Sequence, residues 1–527
     1  MRRTLVIVVA ALAATLLVAC PSSKKKGATA GETPRRGGAL RIGIVAPSSL
    51  DPAQARTRDE LLVADQLFDS LTAPDRKSLE PVPALATRWQ ASADQKQWDF
   101  FLRSGAAFSN GRTITSTDVK YSLERAAKAP GSPGAESLGY ISGFKPFVAG
   151  QAPGLTGITT PSPEDLHITL DQPFSVLPSL LSSPLYGIVA HEAVESAPGG
   201  HAFADQPSVT SGPYMVSSRT ADLITLKPSP GSGSLVTEVD LHVYPDVAAS
   251  YRAFVVGNLD FSTVPPDQVQ DAATKYGRSA FRPYLGELYY AFNLNDPRFK
   301  DPRLRRAIAH AVDRQAIVRA VYQNTVLPLD GIVVDGVPGR AANGCGDACK
   351  LDTGAARQLL GDMATGGAIP SIQIAYGDDP AQAAVAKAIQ ANLKDVGTTA
   401  DLVAKSAKDY PDFAVSGQQQ LFQAAWIAQY PSADDFLAPL FLTGATNNLS
   451  KFTSARVDQL IQAARSEADA SKRNALYQQA EQTVMQDVPI LPIAQLEIHA
   501  VTSKRTRALS LDGTGTFDAS AVWLASS

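Results

Sequence analysis

Residue types able to do covalent or metal chemistry are present, but not in the groupings that such chemistry needs. His191-Glu192-Ala193-Val194-Glu195 opens like a zinc-protease helix, yet Glu195 stands where the second histidine would hold the metal. The six histidines, His167, His191, His201, His242, His310 and His499, are scattered without close metal-ligand spacing, so a nickel or haem site has little support. There is no Gly-x-Ser-x-Gly nucleophile turn and no Gly-x-x-x-x-Gly-Lys phosphate loop. Gly513-Thr514-Gly515 lacks a third glycine and a long helix after it. Cys345 and Cys349, in Asn343-Gly344-Cys345-Gly346-Asp347-Ala348-Cys349, suit a disulfide closing a small loop in an exported chain. The rival is a metal site, but two thiols with no histidine nearby fall short of four ligands. These patterns favour a binder over an enzyme and call for no cofactor.

The N-terminal residues bear on location. Arg2 and Arg3 precede an apolar stretch from Leu5 to Ala19 broken only by Thr15. As a helix it would rise about 22 Å, short of the roughly 30 Å hydrocarbon core, which fits an export signal over residues 1–19 better than a membrane span. It ends in Leu17-Val18-Ala19-Cys20, which resembles a bacterial lipobox and implies cleavage before Cys20 and lipidation of that cysteine. An ordinary signal peptide that happens to contain cysteine is the plainer alternative. Cleavage would take the formal net charge from -3 to -5 before termini are counted. Residues 20–37, rich in Lys, Gly, Ser and Thr, read as a solvated tether, and Lys24, Lys25 and Lys26 could touch anionic headgroups.

The elements available to build a site are mixed. The chain has 527 residues, 44% hydrophobic and 19% charged, which calls for two or three lobes and excludes a polytopic membrane protein or a wholly disordered chain. Lys and Arg form no long basic stripe, so nucleic acid is not an expected partner. Leu40 to Val45 and Trp98 to Arg103 alternate like strands, and Arg58 to Leu71 carries one apolar helical face. Asn110-Gly111 signals a turn, and Thr115 to Asp118 supply cap candidates for a helix over Val119 to Arg125. Strand-like segments follow at Leu166 to Leu170, Tyr214 to Val216 and Val239 to Val243. Helical patterns then run over Pro302 to Tyr322, Asp379 to Val396, Ser454 to Ala468 and Lys472 to Met485. The class is therefore α/β or α+β.

Six spaced phrases stand out along the chain. They are Ser49-Leu50-Asp51-Pro52-Ala53 with Phe68-Asp69-Ser70-Leu71-Thr72; Pro83 to Trp89, continuing through Trp98 to Arg103, Gly105, Phe108-Ser109-Asn110-Gly111 and Thr117-Asp118-Val119; and Ser211-Gly212-Pro213-Tyr214 with Gly257 to Asp260. Then come Asp301 to Ala309 with Val312-Asp313-Arg314; Trp426-Ile427-Ala428-Gln429-Tyr430-Pro431; and Tyr477 to Glu481 closing in Val488-Pro489-Ile490-Leu491-Pro492. Each alone is weak, and most read as scaffold: Trp89, Trp98, Phe100 and Phe108 as packing aromatics, Ala307, Ile308, Ala311 and Val312 as a helix face. Taken together, in this order along residues 40 to 500, they resemble the peptide/nickel class of ABC-importer solute-binding proteins, family 5.

That resemblance implies a two-lobed periplasmic-binding-protein-like (type II) fold with an extra domain inserted in the first lobe. The first lobe would combine residues 38–72, 206–285 and 488–527, the insert 73–205 and the second lobe 286–487. It implies hinge closure over a small, peptide-like solute, delivery to an ABC permease, a monomer, and a place on the outer face of the cytoplasmic membrane. Trp426 matches the family's cleft-facing Trp in Trp-x-Ala-Asp-Tyr, although a core position near the hinge is the alternative; Tyr430 and Tyr214 are further ligand candidates. The family's Asp in that phrase pairs with a peptide's amino group, and here it is Gln429, which carries no counter-charge. A weaker preference for a free N-terminus is expected, unless Asp434 or Asp435 substitutes. The rivals are a hydrolase, for which no motif is complete, and a lipoprotein on this scaffold with a sensing or envelope-assembly role.

Overall fold

In the computed structural model, which describes residues 33–196, 201–364 and 371–525, alternating apolar runs become paired strands. The signal segment 1–19, Cys20 and most of the tether lie outside the described residues. Ala39–Val45 buries Leu40, Ile42 and Ile44 and runs parallel to Glu238–Tyr244, with Phe261–Thr263 on its other side. The first six-stranded sheet has the order Ala500–Thr502, Phe261–Thr263, Ala39–Val45, Glu238–Tyr244, Leu223–Pro228, Tyr214–Arg219. The second has the order Val326–Pro328, Ile490–Ile498, Arg282–Phe292, Leu421–Ile427, Ile372–Gly377, Ala400–Lys405. Between Ala39–Val45 and Tyr214–Arg219 the chain inserts a four-stranded sheet of Ala86–Ala91, Gln97–Leu102, Asp165–Thr169 and Ile158–Thr159. The fold is mixed α/β and two-lobed.

The insert shares an apolar core with the first sheet, so that Ile42 and Leu241 belong to one cluster with Phe100 and Ile168. The second sheet and its helices have their own core around Tyr290, Ile308, Ile389 and Leu460. Sheet membership corrects one boundary drawn from sequence. Ile490–Ile498, assigned to the first lobe, pairs with Arg282–Phe292 and Val326–Pro328 in the second sheet, and only Ala500–Thr502 returns to the first. Likewise Arg282 already pairs with Ile498. The reason is register: Ile490, Leu491, Ile493 and Ala494 bury themselves in the second core.

Local chemistry sets the ends of several elements. The helix Ser116–Lys128 begins with the Thr115 N–H donating to the Asp118 carboxylate at 2.9 Å. Ser454 and Asp469 cap Ala455–Ser466 and Ala470–Asp487 in the opposite sense, their own side chains accepting first-turn N–H groups. The single helical pattern over Pro302 to Tyr322 is two helices, Pro302–Ala311 and Arg314–Ala320, because Asp313 caps the second by accepting from the Ala316 N–H at 2.8 Å. In Ser211-Gly212-Pro213-Tyr214, Gly212 donates to the Leu67 carbonyl, and a Cβ there would lie 2.6 Å from the Leu67 carbonyl carbon. That phrase is a close backbone crossing.

Candidate ligand-binding site

Leu421–Ile427 runs antiparallel to Arg282–Phe292, with Trp426 opposite Glu287 and Ile427 opposite Gly286. Alternation along the strand sends Trp426 and Ile427 to opposite faces. The chain then passes through residues 428–431 to the helix Ala433–Phe441, capped by the Ser432 hydroxyl, which accepts from the Asp434 N–H at 3.2 Å. A cavity of about 480 Å³ lies against this turn. Arg56, Arg58 and Leu61 of the first lobe, Ser183 and Leu185 of the insert, and Tyr284 and residues 427–431 of the second lobe form its walls. It is therefore walled by both lobes and the insert, and its size suits a small solute. Arg58 pairs with Asp59 and keeps its Nη1 buried without a partner, so one guanidinium N–H group of this wall is unused.

A smaller cavity of about 200 Å³ shares Gln429 and Tyr430 with the first and adds Glu136, Ser137, Tyr140, Trp426, Asp435 and the segment 445–447. Three of the four ligand residues expected from sequence meet here. Trp426 is half-buried on this wall. Its indole nitrogen lies near enough to Asp435 to lower that carboxyl's pKa, but makes no hydrogen bond of good geometry. Gln429 spends its side chain on the insert: its amide donates to the Pro133 carbonyl at 3.2 Å and its oxygen accepts from the Ser137 hydroxyl. Tyr430 is buried, donates its hydroxyl to Asp434 at 2.8 Å and meets Phe174 edge-on. Tyr214 does not join them: it is 0% exposed in the first core and lines neither cavity. The Gly212 crossing that identifies its phrase also drives it inward.

The two adjacent aspartates have different fates. Asp434 accepts from Arg465 Nε at 2.7 Å and Nη2 at 2.8 Å, and from the hydroxyls of Tyr430 and Tyr477, each at 2.8 Å. Burial opposes its charge, but Arg465 and the two tyrosines outweigh burial and hold the carboxyl below its usual range. Asp435, 2% exposed, accepts the Gln429 backbone N–H at 2.8 Å. Burial, with the charge of Asp434 beside it, pushes Asp435 up to about 8. Arg465 also donates to the Tyr140 hydroxyl at 2.7 Å and lies over the Tyr140 and Phe174 rings, tying the second lobe to the insert. Sequence reading missed Arg465, Tyr140 and Phe174. The available signal was Arg465 itself, four residues after Ile461 on the apolar stripe of its helix.

The remaining chemical candidates resolve into structure. His191–Glu195 is a five-residue helix whose Glu192 pairs with Arg112 at 2.6 Å. Cys345 and Cys349 are joined by a disulfide around the turn Gly346–Cys349. Among the described residues no group of three or more His, Cys, Asp or Glu is arranged to hold a metal, and no helix is long and apolar enough to cross a membrane.

Comparison with known proteins agrees with this architecture. Residues 80–448 match the family of bacterial extracellular solute-binding proteins, family 5. The chain is 28% identical over 464 residues to the dipeptide-binding protein DppE of Bacillus subtilis, covering 85% of this chain and 84% of the relative. It is 27% identical over 463 residues to the probable deoxycholate-binding periplasmic protein YgiS of Escherichia coli, covering 85% and 86%. The solved murein tripeptide-binding protein MppA, in its unliganded open form, superposes with a TM-score of 0.82 at 24% identity over 93% of this chain and 98% of that one. On the length of the family match, this chain belongs to the bacterial extracellular solute-binding proteins, family 5.

Proposed function

We propose that this protein captures a short peptide or peptide-like solute in the cavity between its lobes and passes it to an ABC permease without chemical turnover. The observation that carries the reading is the cavity of about 480 Å³ walled by both lobes and the insert. A site so placed changes shape when the lobes rotate about the crossings at residues 264–281 and 499, which couples ligand binding to closure. Its electrostatics favour a solute bearing both charges. Arg56 and Arg58 stand on one wall, with Arg58 Nη1 unpartnered, while Asp435 lies beyond Gln429 on the other side. Peptide binding by relatives such as DppE supports the same reading. The sequence Leu17-Val18-Ala19-Cys20 supports export and anchoring through lipidated Cys20, and we take the working form to be a monomer.

Native mass spectrometry of residues 38–527, followed by denaturation to release any bound mass, tests the proposal. Retained peptides, or uptake of one from a mixed tri- to pentapeptide pool, are expected. Retention of a non-peptide anion such as a bile acid, with no peptide taken up, would overturn the peptide assignment and leave solute binding in place.

A further inference from the structure

We infer that a basic hollow at the end of the first lobe away from the solute cavity docks on an anionic lipid surface. The hollow, of about 500 Å³, is lined by Arg41, Lys504, Arg505 and Arg507, and Asp260 is the only acid among its described lining residues. Asp260 is 0% exposed. It accepts from Arg41 Nε at 3.0 Å and Nη2 at 3.2 Å, from Arg505 Nε at 2.6 Å and from the Ser503 hydroxyl at 2.8 Å. Burial opposes its charge, but Arg505 and Arg41 outweigh burial and hold the carboxyl well below its usual range. One carboxylate thus fixes two guanidinium groups side by side. Four cations against that one acid give the lining a formal charge of +3, on a chain whose own formal net charge is -3. The positive charge is local, and it draws a partner of opposite sign.

Apolar surface borders the same cations. Arg41 Nη1 donates to the Gly257 carbonyl at 3.1 Å, which ties it to the turn after the helix Val247–Val255. At that turn Val255 and Val256 are 43% and 72% exposed. Basic groups beside exposed apolar side chains make up a membrane-surface contact, the cations meeting phosphates and the valines meeting the acyl boundary. A free phosphate would use the cations and leave the valines without a role. The hollow also adjoins the start of the folded body, because Arg505 Nη2 donates to the carbonyl of Ala39, the first residue of Ala39–Val45. Exposed Arg35 and Arg36 precede that strand and add positive charge. Residues 20–37, the tether of the sequence reading, would as a random coil put a lipid on Cys20 about 20–25 Å from Ala39. A bilayer holding that lipid lies within reach of the hollow.

At its other end the same strand reaches the solute cavity. The Val45 N–H donates to Asp59 at 2.8 Å, and Arg58 beside Asp59 lines that cavity. The strand has 7 residues, which separate its ends by about 20 Å, so a headgroup in the hollow and a solute in the cavity do not compete. A protein docked by the hollow keeps the cavity at the end of the lobe away from the bilayer, open to arriving solute. Delivery to a permease then requires release from the lipid, which calls for a contact that is weak and sensitive to salt.

Co-sedimentation with vesicles tests the surface on residues 33–527, which keep every described residue and omit Cys20, Lys24, Lys25 and Lys26. Wild type is expected to bind phosphatidylcholine vesicles carrying about 30% phosphatidylglycerol, to ignore phosphatidylcholine alone, and to come off between about 0.05 and 0.5 M salt. Lys504 is exposed, and Lys504→Glu changes the charge at the hollow by two, so binding should weaken about 25-fold at roughly fivefold per charge. Lys408→Glu makes the same change on the exposed surface of the second lobe and should stay within about twofold of wild type. Hydrogen exchange of vesicle-bound wild type should slow over residues 254–259 and 502–507, which locates the contact even if Lys504→Glu misfolds. No binding to the anionic vesicles, equal binding to phosphatidylcholine alone, equal loss in both variants, or slowed exchange confined to other surfaces overturns the docking surface. Displacement by inorganic phosphate at constant ionic strength overturns it too, in favour of a free-anion site. None of these outcomes touches the peptide reading, which depends on the opposite end of the lobe.

Discussion

Substituting Asp434 by asparagine removes the carboxylate that holds Arg465, a side chain 2% exposed between the second lobe and the insert. The wild-type arrangement has two Arg465 N–H bonds to Asp434 at 2.7 and 2.8 Å and two tyrosine hydroxyl bonds at 2.8 Å. The substituted amide could still accept from one or two of these donors but would leave the guanidinium buried without counter-charge, a change that costs about 3–5 kcal/mol. Arg465→Met should cost a similar amount by stranding Asp434. The double variant should recover most of the loss, because removing both charges also removes the desolvation penalty. Urea denaturation followed by circular dichroism at pH 7 and pH 3 measures this. The folded pKa of Asp434 is depressed, so the pair's contribution is present above the unfolded value of 3.8 and is lost as pH falls through the lower folded value. The gap between wild type and Asp434→Asn should therefore narrow at pH 3. Single variants within about 1 kcal/mol of wild type at pH 7, or a double variant as unstable as the sum of the singles, would refute the account.

Glu287 has both carboxylate oxygens buried without partners, and burial together with the charge of Glu481 pushes its pKa well up. Native protein thus holds a proton that the unfolded chain gives up above 4.5, so stability falls as pH rises from there towards the folded value. Glu287→Met should stabilise the protein by about 1–3 kcal/mol at pH 8 and less at pH 4, read from melts across that range; a loss at pH 8 would show an unseen partner. The Cys345–Cys349 disulfide spans a sequence separation of 4, and closing so short a loop removes only about 2 kcal/mol of unfolded-state entropy. Cys345→Ser with Cys349→Ser should lower stability by that amount and leave solute affinity within twofold, checked by denaturation and calorimetry; a larger affinity loss would place the loop at the site.

Much of this molecule is legible in short stretches of sequence because short-range physics decides it. Alternation in Leu40 to Val45 is a strand in either reading, and Ser454 and Asp469 cap their helices through bonds to residues three positions away. The order of six phrases identified the family, and the Trp426 to Tyr430 phrase led to the wall shared by the two cavities. Long-range contacts decided the rest. Tyr214 is a core residue because Gly212 crosses the backbone at Leu67, some 145 positions earlier. Ile490–Ile498 joins the second sheet because its partners begin at Arg282. Asp434 and Asp435 are the same residue type, side by side in the first turn of one helix. Arg465, from another helix, pairs with one and leaves the other facing a cavity, so one is held ionised and its neighbour near neutrality. No local pattern distinguishes them, because the difference in charge comes from which of the two the fold places against the guanidinium.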